Sequence, residues 1–239
     1  MGMVHGPNMV TDNLIMYLDA ANVQSYPGSG TTWYDLVSSN YGSMSLGPTF
    51  RSANGGIIDF DGSDDSVHMN EGVYSASAMT IAAWINMDVV PASQTHGYPC
   101  ILSKRDVGTG RSYFLAFQKS ISKLYWEIKN SSGAYFIMYS TKTNWTASTW
   151  YYVVTSYHAS SGIAKMYIDG VEDAGTFSPA QPWSLDPIPT TTSNTVVGAT
   201  HASYYEFNGK IALVSFYSDI LTAAEVLQNY NAHKSRFGL

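Results

Sequence analysis

Two carboxylates held about 5–5.5 Å apart beside a glycosidic bond would hydrolyse it with retention, so the glutamates come first. Glutamate stands only at Glu71, Glu127, Glu172, Glu206 and Glu225, and no two are close enough in sequence to share a strand face. Glu127, in Trp126-Glu127-Ile128, is the best single candidate, with an ordinary strand residue as the competing reading. No Gly-x-Ser-x-Gly elbow marks a serine nucleophile. These patterns point away from hydrolysis and lead us to expect no enzyme. Asp59, Asp61, Asp64 and Asp65 crowd one turn, where Asp61 and Asp64 could hold calcium if backbone carbonyls complete six to eight oxygen ligands. The competing reading is a solvated Asp-Gly turn whose side chains bond their own backbone. No histidine forms a His-x-His or His-Glu-x-x-His pair, and His96 with Cys100 in a Gly/Pro loop is a weak zinc signal. Sugar recognition calls for exposed rings beside hydrogen-bonding groups, which the segment containing Tyr204, Tyr205 and Glu206 offers, with Trp183 as a second ring. Against this, each ring could instead pack beneath its own loop.

The elements that would position these groups are short strands separated by Gly, Ser, Asn and Pro clusters, an all-β pattern. We expect strands at 14–18, 57–60, 79–85, 113–117, 124–128, 135–139, 149–157 and 211–217. Segments 164–168 and 170–173 read as a hairpin around Asp169-Gly170, a favoured turn dipeptide. Along the strand at 149–157, Trp150, Tyr152 and Val154 fall on one face and Tyr151, Val153 and Tyr157 on the other. Both faces are apolar, so both should be covered. Thr222 with Glu225 forms a capping box ahead of a short surface helix at 223–232.

The chain has 239 residues, a length one β-sandwich accommodates, and is 45% hydrophobic and 13% charged. A net charge of −6 leaves no basic stripe for phosphates, which argues against nucleic acid and against an anionic membrane. No apolar run reaches the ~18 residues of a membrane span. Cys100 is the single cysteine, excluding an internal disulfide and fitting a buried inert thiol. The opening Met1-Gly2-Met3-Val4-His5-Gly6-Pro7 lacks the basic and apolar regions of a secretory signal.

Several of these segments resemble laminin G-like domains of the concanavalin A-like sandwich. They are the strand 150–157 with Tyr167-Ile168-Asp169-Gly170, the segment Phe60-Asp61-Gly62-Ser63-Asp64-Asp65, and Gly209-Lys210-Ile211 with Val214-Ser215-Phe216-Tyr217. The resemblance spans nearly the whole chain and implies an antiparallel β-sandwich or jelly roll with a short C-terminal helix. That family often adds an acidic residue on the Gly209 strand, where Ala212 and Leu213 stand here, which weakens the transfer of its calcium site. The flanks, Asp19-Ala20-Ala21-Asn22, Thr32-Trp33-Tyr34-Asp35-Leu36 and Gln228-Asn229-Tyr230-Asn231, are similar to laminin G-like proteins of tailed bacteriophages, notably of marine cyanobacteria. That likeness implies a virion protein, assembled in the host cytoplasm, serving as head decoration, tail fibre or adhesin. Its implied partners are other virion proteins, cell-surface glycans and further copies of itself. A free carbohydrate-binding lectin is the alternative, with a glycan hydrolase behind it.

Residues 1–12 are expected to form a short arm and 13–239 the sandwich. The strand at 14–18 should enter the same sheet as that at 211–217. Tyr204, Tyr205, Asp61 and Asp64 should share one rim of the sandwich, with Trp183 nearby.

Overall fold

The computed structural model describes residues 7–70, 77–105, 111–129, 134–183, 193–200 and 204–239. The first strands are β1 (Leu14–Asp19), β2 (Thr32–Tyr34), β3 (Tyr41–Ser45), β4 (Thr49–Arg51), β5 (Ile57–Asp61) and β6 (Ser66–Met69). There follow β7 (Ala78–Met87), β8 (Cys100–Arg105), β9 (Arg111–Gln118), β10 (Lys123–Lys129), β11 (Tyr135–Tyr139) and β12 (Trp150–His158). The last are β13 (Ile163–Ile168), β14 (Val171–Asp173), β15 (Thr176–Ser178), β16 (Val196–Val197) and β17 (Asn208–Tyr217), before helix α1 (Ala223–His233). Among the described residues they form an eight-stranded sheet, β14-β13-β12-β7-β17-β5-β4 with β1 also on β17, and a nine-stranded sheet, β15-β11-β10-β9-β8-β16-β6-β3-β2. The pairings are antiparallel, as the all-β sandwich reading requires.

Why two sheets pack is plain from β7 and β12. Met79, Ile81, Ala83, Ile85 and Met87 of β7, with Tyr151, Val153 and Tyr157 of β12, belong to the core between the sheets. The alternate residues Ala82, Trp84, Trp150, Tyr152 and Val154 form a second apolar cluster on the outer face of the eight-stranded sheet. Helix α1 and the turn after it cover that face. Val226 is buried, and the rings of Tyr230 and Phe237 stack on Trp84 at 5.6 and 4.3 Å between centroids. The helix therefore does more than lie on the surface. It caps a sheet that would otherwise expose tryptophan.

Local signals do what their chemistry dictates. Thr222 Oγ1 accepts the Glu225 N–H and the Glu225 carboxylate accepts the Thr222 N–H, closing the capping box. Asp169 and Gly170 both take positive φ, 53° and 81°, the backbone of a two-residue hairpin turn matched to strand twist. The second half of β17 pairs with β1 and its first half with β5, with a register shift between Ile211 and Leu213 on the β7 side. The expected sharing of one sheet by β1 and β17 is thus observed.

The described part of the N-terminal segment is tied to the sandwich. The Val10 N–H donates to Asn229 Oδ1 at 2.7 Å, the Tyr217 hydroxyl donates to the Val10 carbonyl at 3.0 Å, and Gln228 Nε2 donates to the Asn8 carbonyl at 2.7 Å. Val10 is 8% exposed and joins the cluster beneath α1. One apolar residue with two anchored carbonyls is enough to strap a polar segment down.

His233, in the last turn of α1, supplies a pH test of this packing. Its Nδ1 lies 3.0 Å from the Asn229 carbonyl and its Nε2 3.2 Å from the Tyr17 hydroxyl, so the neutral ring donates from Nδ1 and accepts at Nε2. Burial pushes its pKa below the ordinary imidazole value, with Arg236 pushing the same way and the Asn229 carbonyl and Asp19 opposing. The folded-state value lies below the unfolded one. The contribution is therefore present above about pH 6.5 and is lost as pH falls from there through the folded-state value. Urea midpoints measured across that window should fall for the native chain, and His233→Gln should flatten this component.

Candidate functional site

The β5–β6 turn and the loop entering β17 meet at one end of the sandwich. Asn208 pairs with Asp61 in the ladder between β17 and β5, and Gly62, at φ 76°, lies so near Asn208 that a Cβ there would come within 2.6 Å of its side chain. The turn is ordered by its own carboxylates. Asp61 Oδ1 accepts the Ser63 N–H at 2.8 Å, and Asp65 Oδ2 accepts the Asp61 N–H at 2.9 Å. Carboxylate oxygens of Asp61, Asp64 and Asp65 all lie within 4.8 Å of one another. Burial raises the pKa of Asp65, and the charges of Asp61, Asp64 and Asp59 raise it further against the lowering by its backbone bond. No ion pair with Asp61, Asp64 or Asp65 occurs among the described residues. This hard-oxygen donor set fits calcium, and backbone oxygens or water would have to supply the rest of the shell.

Beside the turn lies a cleft of about 440 Å³ whose walls include Thr49, Arg51, Asp59, Asp61, Asp65 and Asp88. Arg51 and Lys210 compensate Asp59 at 3.1 and 3.8 Å, and Lys210 also pairs with Asp88. Among the described residues, the uncompensated carboxylates on this cleft are thus Asp61 and Asp65, with Asp64 close to both.

The loop before β17 places its three expected residues in three different environments. Tyr204 is 61% exposed, while its carbonyl accepts the Thr200 N–H and hydroxyl at 3.0 and 2.8 Å. Tyr205 adopts φ 66°, unusual for a bulky residue, and its carbonyl accepts the Cys100 N–H at 2.7 Å. That backbone swings its ring onto the outer face of the nine-stranded sheet, 5.6 Å from Tyr98 and 6.0 Å from Phe114 between centroids. Glu206 is 1% exposed, so the expected open hydrogen-bonding carboxylate is instead turned inward. Its Oε2 meets His96 Nε2 at 2.8 Å. Burial raises the Glu206 pKa, and Asp64 and Asp61 add to the rise while His96 opposes it, which places all of them at the same rim.

Trp183 lies elsewhere. It is 3% exposed, its indole N–H donates to the Pro179 carbonyl at 2.9 Å, and its ring stacks on Phe136 at 5.3 Å. Its N–H bonds the Gly162 carbonyl, beyond the end of the sheet where His158 pairs with Ala78, whereas Gly209, next to Asn208, pairs with Met87. The length of β7, roughly 30 Å at ~3.3 Å per residue, separates the two ends. The expected role of Trp183 as an exposed sugar platform is therefore corrected: its ring is buried in the core against Phe136.

Glu127 sits on the outer side of β10, 7% exposed, and accepts the Tyr125 hydroxyl. Burial and the Glu127 charge push the Tyr125 pKa up, so this phenol is a proton donor and not a phenolate nucleophile. Cys100 is buried with Sγ 3.2 Å from the Ala199 carbonyl, as an inert thiol should be. No helix among the described residues is long and apolar enough to cross a membrane.

The family described as the concanavalin A-like lectin/glucanases superfamily matches residues 61–227, more than half of the chain. This chain belongs to that superfamily. No curated protein matches the sequence. Among solved structures, the binding domain of Paraclostridial Mosquitocidal Protein 1 is similar at TM-score 0.68 and 15% identity, covering 92% of this chain and 52% of that one. The receptor binding domain of botulinum neurotoxin D gives the same values. A Trypanosoma rangeli sialidase follows at TM-score 0.63 and 14% identity, covering 95% of this chain and 34% of the sialidase. The superfamily member thus spans about half the length of the toxin domains it matches. At these identities the likeness is one of fold, and the site residues above are its own.

Proposed function

We propose that this chain is a non-enzymatic attachment module that uses its β17-side rim to grip glycans, and that it does so on the surface of a virion, as head decoration, tail fibre or adhesin. The exposed Tyr204 beside Tyr205 and the Asp61, Asp64 and Asp65 corner carries this reading: a ring and a charged, ion-ready turn held on a rigid sandwich. Two fold neighbours are themselves binding or receptor-binding domains, which agrees with recognition as the task. The virion setting rests on the resemblance of the flanks to phage proteins. Mass spectrometry of purified particles tests it, since a structural protein is present at a copy number comparable to capsid or tail proteins. A free lectin is the second reading and predicts glycan binding without incorporation. Release of reducing ends from cell-wall or algal polysaccharides would overturn the non-enzymatic assignment.

Stacking on one ring is worth about 0.5–1.5 kcal/mol beyond its area, taking aromatic pairs as the guide. Tyr204→Ala should weaken glycan-array or host-cell binding about two- to thirteen-fold with little change in melting temperature, because the ring makes few core contacts. Unchanged binding would remove the rim from the site.

Calcium gives an independent check on the turn. At a hundred-fold excess over its dissociation constant, an ion bound only to the folded chain adds about 2.7 kcal/mol. The melting temperature should rise with calcium, return with chelator, and cease to respond in an Asp61→Asn, Asp64→Asn double variant.

A further inference from the structure

The aromatic layer on the outer face of the nine-stranded sheet ends at an open cavity of about 280 Å³ lined by Gly97, Tyr98, Gln118, Lys119 and Ser120. Its two walls are tied into one body. The Lys119 N–H donates to the Gly97 carbonyl at 3.0 Å, the Phe117 N–H to the Pro99 carbonyl at 3.0 Å, and Lys119 Nζ to the Gln94 carbonyl at 2.5 Å. Gln94 is fixed in turn by side-chain bonds to Val89 and Asn208. A ligand entering here meets a site that needs little ordering.

The lining has a definite chemistry. The half-buried Tyr98 ring is braced by Tyr125 and Tyr205, with centroids 5.2 and 5.6 Å away. The Gln118 side-chain carbonyl oxygen is buried and has no hydrogen-bond partner among the described residues, an acceptor that rotation about its broad terminal torsion would present to a donor in the cavity. Lys119 spends one hydrogen on a neutral carbonyl and pairs with no carboxylate among the described residues. Lys123 stands opposite Gln118 in the β9–β10 register, on the same side of the sheet. Lys119 and Lys123 thus put two positive charges at this corner, while the neighbouring carboxylates are engaged: Glu127 accepts the Tyr125 hydroxyl and Glu206 pairs with His96.

We infer that this cavity is a sugar subsite for one pyranose residue bearing a carboxylate. The sugar's apolar face lies on Tyr98, a ring hydroxyl donates to Gln118, and the carboxylate faces Lys119 and Lys123. The volume is slightly below the usual range for ligand pockets and suits a single ring. The inference rests on the glycan-binding reading and narrows it: the bound polymer is acidic, and it runs from this corner toward Tyr205 and Tyr204. Repulsion from Asp61 and Asp64 keeps its carboxylate at the lysine end.

Calorimetric titration with oligomers of glucuronic acid and with glucose oligomers of equal length tests this. The glucuronate series should bind at least ten-fold more tightly at low ionic strength, with the preference shrinking as salt screens the lysines. Gly97 provides the blocking variant, because a Cβ built there meets nothing within 4 Å and its φ is outside the left-handed region. Gly97→Leu should abolish glucuronate binding at an unchanged melting temperature, and Ser120→Trp, from an exposed position on the same lining, should do likewise. Lys119→Met should remove the preference for the acidic series. Equal or tighter binding of glucose oligomers overturns the acidic assignment, and unaltered binding in both blocking variants overturns the subsite. If Tyr204→Ala weakens glycan binding while the blocking variants do not, the rim stands and this cavity falls; if no glycan binds, both fall.

Discussion

Trp84→Ala should destabilise the fold by about 3–5 kcal/mol, the range for removing a fully buried large aromatic side chain. Trp84 is 0% exposed and lies between the eight-stranded sheet and everything that covers it. Its ring touches Phe237 at 4.3 Å, Tyr152 at 5.2 Å and Tyr230 at 5.6 Å between centroids, so alanine removes the surface on which α1 and the final turn rest. A second variant separates volume from polarity. The Trp84 indole N–H has no hydrogen-bond partner among the described residues, so Trp84→Phe gives up ring area but no bond and should cost only about 1–2 kcal/mol. Guanidinium unfolding of the two variants measures the difference. Nearly equal losses would mean that the indole N–H has a partner such as a buried water.

Arg236→Met should cost about 2–4 kcal/mol, next in size, and for a different reason. Its Nη1 donates to Asp19 Oδ1 at 2.7 Å, its Nε to the Asn54 carbonyl at 2.6 Å and its Nη2 to the Gly56 carbonyl at 2.5 Å. Both partners of the ion pair are mostly buried, with side chains 16% and 14% exposed. Methionine removes the guanidinium from over the Phe237 ring and leaves a carboxylate and two carbonyls short of donors, which is the costly half of breaking a buried pair. Lysine should recover little, because an ammonium cannot reproduce the planar fork that spans three acceptors. Comparable stabilities for the lysine variant and the native chain, read from urea midpoints, would show that charge alone suffices.

What the sequence discloses about this fold follows how local the cause is. The alternation in β12 divides Trp150, Tyr152 and Val154 from Tyr151, Val153 and Tyr157, and the structure puts these sets in separate apolar clusters. The Asp169-Gly170 turn and the Thr222 capping box are equally legible, since a few neighbouring residues determine each. The short strands β2, β4, β15 and β16 escape notice because two or three residues carry no periodicity and their pairing depends on distant partners.

The site divides in the same way. The turn holding Asp61 and Asp64 is visible because its acids are adjacent, and Asp65 joins them as the buried member. Trp183 misleads because a ring in a Pro-rich segment looks exposed until Phe136, Tyr157 and Phe177 are known to surround it. His96 reads in sequence as a weak zinc signal with Cys100, yet its partner is Glu206, which arrives from far along the chain. Tyr98 and Gln118 carry no motif at all. Only the closing of the loop before β8 onto the β9–β10 turn makes a cavity of them.

The strap of Val10 and the packing of Phe237 put both ends of the described chain behind one sheet, while Tyr98 and Tyr205 occupy the far side of the other. A tether fused near either end therefore anchors the domain from its back. Immobilised that way on a bead, a sensor chip or a larger particle, the tyrosine side points away from the support, and many copies would display it in a common orientation without engineering of the loops. Attachment through Lys119 or Lys123 would do the opposite and press that side against the support.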